Sequence, residues 1–95
     1  YMAAEVLFED TEDGEGDVIE ITGNFELQIV DTGGGTMVFQ KALGPGSSES
    51  NLRTVEEFNG PAHRIIENPN TSRFRIILHG SSRSGTRLAE YQAAE

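Results

Sequence analysis

The sequence holds no cysteine and no tryptophan, and its only tyrosines are Tyr1 and Tyr91. Without thiols, neither a disulfide nor a thiolate metal site can staple the fold, and the redox compartment cannot be read. Few aromatics also means few rings to stack on sugars, which lowers a lectin reading. No apolar run approaches the roughly 20 residues of a bilayer-spanning helix and no signal-peptide pattern opens the chain, so a soluble protein is expected. Apolar residues are only 36% of the 95, little for a free-standing globule. A chain of this size buries only about 60–65% of its unfolded surface. One domain over 1–95 is expected, with a thin core and a benefit from self-association.

Positive charge is missing from the first third. Residues 1–31 carry ten acids and no base, and residues 32–95 carry six acids and seven bases, giving −10 followed by +1. The overall −9 argues against a nucleic-acid-binding surface, which needs clustered Lys and Arg to meet phosphates. The asymmetry predicts that the acidic third either meets a basic surface, in this chain or in a neighbouring subunit, or stands as a solvated face.

What the chain does have is short alternating runs broken by turn residues every 8–12 residues, the pattern of an all-β sandwich or barrel. Strands are predicted over 4–9, 17–22, 24–30, 36–43, 52–58, 63–67 and 72–78. The segment 85–92 reads as an eighth strand, although its Ala and Glu content also suits a short helix. Pro61 and Pro69 fall in turns, where a missing N–H breaks no ladder. The expectation is a single antiparallel β-sandwich of seven to eight strands, Ig-like or jelly-roll-like. A flexible acidic loop at 9–17 and a Gly/Ser loop at 44–51 complete it.

Candidate chemistry is sparse. Asp31-Thr32-Gly33 follows the apolar run LQIV, as the catalytic loop of an aspartic protease does. Such an enzyme needs two carboxylates sharing one proton, so Asp31 could serve only through a dimer. Against this, residue 34 is Gly, the stretch SSRSGT after Gly80 is poor helix material, and no Gly-rich flap is evident between 44 and 60. The simpler reading is a loop whose glycines supply positive φ. The oxygens of Asp10, Glu12, Asp13, Glu15 and Asp17 raise calcium. An EF-hand alignment on Gly14 nevertheless puts Glu9 and Thr11 where Asp residues should lead, so no metal is assigned. His63 and His79 lack zinc-ligand spacing and read as strand residues at the core's edge. No Gly-x-Ser-x-Gly elbow occurs, and GPGSS lacks the Lys and helix of a phosphate loop. No cofactor is expected.

The arginines say more. Arg73 and Arg75 alternate with Phe74 and Ile76, so both project from one strand face, and Arg64, Arg83 and Arg87 can join them. They form either a basic strip that docks an acidic partner or surface pairs with Glu56, Glu57 or Glu67. Arg64, Arg73 and Arg75, together with Asp10, Glu12, Asp13 and Asp17, are the candidate partner-binding residues.

From residue 23 a series of features follows in order: Gly23-Asn24-Phe25, Gly33-Gly34-Gly35, Gln40-Lys41, GPGSS, Val55-Glu56-Glu57-Phe58, Glu67-Asn68-Pro69, Phe74-Arg75-Ile76 and Ser84-Gly85-Thr86. This order resembles that of small phage structural proteins built from one β-sandwich. The resemblance implies a non-enzymatic virion component, such as a capsid decoration or cement protein. It would sit on the outer capsid surface, bind the major capsid protein or other virion subunits, self-associate, and touch neither nucleic acid nor membrane. The alternatives are an Ig-like or lectin-like adhesion module of a tail or fibre, and a retropepsin-like dimeric aspartic protease using Asp31.

Overall fold

Three phenylalanines with alternating neighbours dictate where the two sheets meet. The computed structural model describes residues 4–42 and 51–94, so the loop expected at 44–51 lies almost wholly outside the described residues. Phe25, Phe39 and Phe74 are fully buried. The Phe39 and Phe74 rings stack 5.3 Å apart, and Phe25 meets Phe74 edge-on at 5.0 Å. Each ring buries about 150–250 Å² and such pairs add roughly 0.5–1.5 kcal/mol beyond area burial. Leu27, Ile29, Met37, Ile76 and Leu78 complete the layer, each alternating with a more exposed residue on its strand.

The described residues form nine strands: β1 (Glu5–Asp10), β2 (Gly14–Glu15), β3 (Ile19–Thr22), β4 (Phe25–Asp31), β5 (Thr36–Ala42), β6 (Leu52–Phe58), β7 (Ala62–Ile66), β8 (Thr71–His79) and β9 (Arg87–Ala93). The first sheet runs β1-β9-β4-β7. The second runs β2-β8-β5-β6, with β3 also paired to β8 beyond β2. All pairings are antiparallel, and the two sheets pack as a β-sandwich. The helix option for 85–92 is excluded, because Ala89 and Tyr91 pair with Ile29 and Leu27 of β4.

The ninth strand comes from the acidic segment. Gly14 and Glu15 pair with Leu78 and Ile77, so 9–17 holds the end of β1 and all of β2 besides its turn. A bulge between Val6 and Phe8 breaks the alternation of β1. It turns both Leu7 and Phe8 into the core and leaves Val6 46% exposed.

The far end of the sandwich is tied by a buried asparagine. Asn68 Nδ2 donates to the carbonyls of Ile21 (3.0 Å) and Gly23 (3.2 Å), while its own N–H donates to Asn24 Oδ1 at 2.6 Å. These bonds join the β3–β4 turn to the β7–β8 turn. Asn68→Ala should therefore remove both side-chain bonds between the two turns and lower stability by about 2 kcal/mol, read as a fall in the urea midpoint at unchanged slope.

Candidate functional site

The DTGGGT loop at 31–36 joins β4 in one sheet to β5 in the other. Asp31 Oδ1 accepts from Gly33 N–H at 2.8 Å, closing a tight turn, and from Arg83 Nη2 at 3.1 Å. Gly33 has φ of 62°, a conformation that glycine adopts without the steric cost of a β-carbon. Its carbonyl accepts from the N–H groups of Ser82 (3.0 Å) and Arg83 (3.1 Å) on the β8–β9 loop. Gly35 is needed for a different reason: a β-carbon there would lie 2.5 Å from both His79 O and Ser81 N. The loop is a joint between three chain segments, and Asp31 is its staple.

The same end carries Asp13 and Arg87. Asp13 accepts from the N–H groups of Gly80 (2.9 Å) and Ser81 (3.1 Å) and from the Ser81 hydroxyl. The Ser81 hydroxyl bond first, helped by those N–H groups and the Arg87 charge, holds the Asp13 carboxyl below the usual 3.8 against desolvation, the next-largest effect. Arg87, only 4% exposed, lies against Gly33 and donates through Nη1 to Thr11 O at 2.8 Å and to Gly85 O. Its Nε–H meets no acceptor among the described residues. Sequence reasoning gave Arg87 no separate role, and no local spacing marks it, because its neighbours come from residues 11, 33 and 85.

Arg73 and Arg75 do share the outer face of β8, yet their charges are met within the chain. Arg73 lies 3.7 Å from Glu20 across the β3–β8 pairing. Arg75 donates to Gln40 Oε1 from Nε (3.1 Å) and Nη2 (2.7 Å), and reaches Glu15 at 3.5 Å. Arg64 points toward the sheet interface beside Leu27, pairs with Glu56 at 2.9 Å and lies over the Phe58 ring at 5.4 Å. Arg83 closes the set on Asp31. The acidic third thus meets the basic surface of its own later strands, through Glu15, Glu20 and Asp31.

The remaining acids of the segment are less engaged. Among the described residues Asp10 Oδ1 accepts only from the N–H groups of Thr11 (2.7 Å) and Glu12 (3.3 Å). Glu9, Glu12 and Asp17 face no cation within 4 Å among the described residues. No three His, Asp or Glu side chains among the described residues converge to hold a metal ion. His63 stands on the outer face of β7, 3.6 Å from Glu26, and His79 is exposed at the end of β8. Beside β1, the Tyr91 hydroxyl donates to Glu5 at 2.8 Å. Burial first, and then that carboxylate, push the Tyr91 pKa up to about 12.

Comparison with protein-family models, with curated proteins and with solved structures finds no match to this chain. The site must therefore be read from its own chemistry.

Two titrations follow. The folded state favours ionised Asp13, so its contribution is present above the ordinary carboxylate range and is lost as pH falls below 3.8. Asp13→Asn should unfold at lower urea than the parent at neutral pH, with the gap narrowing as the pH drops below that range. The folded state also favours neutral Tyr91, so that contribution is complete below 10 and is lost as pH rises toward about 12. Tyrosinate absorbance should show a step near the upper value that Tyr91→Phe removes and Glu5→Gln moves down.

Proposed function

We propose that the chain is a non-enzymatic structural protein of a phage virion, a decoration or cement protein that binds the outer capsid surface and clamps adjacent subunits. One observation carries this reading. Asp31, the residue a dimeric aspartic-protease mechanism would need, accepts through Oδ1 from Gly33 and Arg83 and so supports a loop-building role. A structural role for that loop favours a function carried by the surface of the sandwich. The ordered features from Gly23 to Thr86 that resemble phage β-sandwich proteins point the same way. An acidic exterior suits a lattice's outer side better than the side facing packaged nucleic acid.

The mechanism is mass action. A protein that binds the assembled shell and not its dissociated subunits stabilises the shell by RT ln(1 + [L]/Kd) per site. Many symmetry-related copies, themselves self-associating, multiply that effect.

Mass spectrometry of purified particles from the culture that makes this chain should find it at a copy number matching the capsid lattice. Intact particles lacking it would overturn the reading. So would a peptidase activity of the purified chain that Asp31→Asn abolishes.

A further inference from the structure

The two flanks where the sheets' edge strands face each other are finished differently. On one, Arg64 of β7 and Glu56 of β6 bridge the gap at 2.9 Å, with Phe58 beneath them. Charges turned inward on edge strands are a known way to block further strand pairing. On the other flank, β1 faces β2 and β3, and no ion pair joins them among the described residues. The approach is made at Gly16, where a β-carbon would lie 3.0 Å from the Phe8 ring. Beside it opens a cleft of about 330 Å³ lined by Val6, Phe8, Glu9, Glu15, Asp17 and Ile19. A second cleft, of about 180 Å³, continues between Glu5 and Tyr91 on one sheet and Glu20 and Thr22 on the other. Away from the Gly16 contact, this flank opens in these two clefts.

The open flank also carries a free strand edge. Among the described residues β1 pairs with β9 alone, so its second edge offers unpaired backbone donors and acceptors beside the larger cleft. Val6, thrown outward by the bulge, adds an exposed apolar contact. Charge selects the occupant. Glu9 and Asp17 have no counter-ion among the described residues, and Glu15, although near Arg75, is 64% exposed. A second copy of this acidic chain would bring like charge to the same place.

We infer that this flank receives an extended, lysine- or arginine-bearing segment of a partner polypeptide, added to β1 as a further strand of the first sheet. Backbone hydrogen bonds along β1 supply the affinity common to strand addition, and alternate basic side chains reach the carboxylates across the cleft. The inference deepens the reading above by naming the face and the partner's chemistry, and its test needs no particles.

The probe is a labelled peptide of about eight residues alternating valine and lysine, long enough for one strand. Its counterpart alternates valine and glutamate. Fluorescence anisotropy should show binding of the lysine peptide alone, weakening as salt passes about 0.15 M, where screening acts within about 8 Å. Hydrogen exchange should slow at amides of β1 and stay unchanged at β7. Glu9→Lys with Asp17→Lys should weaken binding at least about tenfold, or about 1.4 kcal/mol. Glu57→Lys with Glu67→Lys, the same change in net charge placed elsewhere, should keep the affinity. Circular dichroism melts confirm that both variants are folded. Equal losses in the two variants, protection elsewhere than β1, or no binding would overturn the inference. Peptide binding by a chain absent from its particles overturns only the virion reading, and the converse result overturns only this one.

Discussion

The packing of Phe25, Phe39 and Phe74 is the constraint on which the molecule rests. With no disulfide available and a low apolar content, the sheets are held chiefly by what these rings and their aliphatic neighbours exclude from water. At roughly 25 cal/mol per Å², each ring contributes a few kcal/mol. A net stability of roughly 5–15 kcal/mol for a typical domain leaves little margin around such a trio. One ring comes from each of β4, β5 and β8, so the cluster also fixes which strands must be central. The loops at either end are then placed by consequence.

Charge is arranged around that core to serve the fold first. The acids of the first third reach across the chain to bases more than fifty residues away, as in Glu15–Arg75 and Asp31–Arg83. Exposed pairs of this kind are individually weak, each about 0–1 kcal/mol. Their importance is in subtraction: Arg64, Arg73, Arg75 and Arg83 all have carboxylate neighbours, so the charge still available to other molecules is acidic. A strip that looks basic along β8 is close to neutral in three dimensions.

Much of the fold was legible in the sequence because it is written in a period of two. Phe25, Leu27 and Ile29 announce β4, and Phe74, Ile76 and Leu78 announce β8. The common face of Arg73 and Arg75 follows from the same alternation. β2 was not legible, since Gly14-Glu15 is too short to carry any pattern and exists only because β8 extends past β3. The β-character of Arg87–Ala93 was ambiguous because Ala and Glu favour helices, and pairing on both sides, with β1 and β4, overrides that preference. The bulge that buries Leu7 beside Phe8 leaves no mark in the local sequence. The candidate site was half legible. Glycines at 33–35 signalled a loop, but the bond from Arg83 to Asp31 and the burial of Arg87 depend on how distant strands register, which no local spacing encodes.

The position of β9 has a temporal consequence. It lies between β1 and β4, so that Asp10 is aligned with Arg87 and Phe25 with Ala93. During synthesis β1 and β4 emerge before β9, each with an apolar row uncovered until Arg87–Ala93 has been made. The first sheet closes only when its latest-made strand slides into the vacant middle slot. Such topologies fold on the slow side, over milliseconds to seconds. Nascent chains are then exposed to mispairing with one another for as long as β9 has yet to emerge.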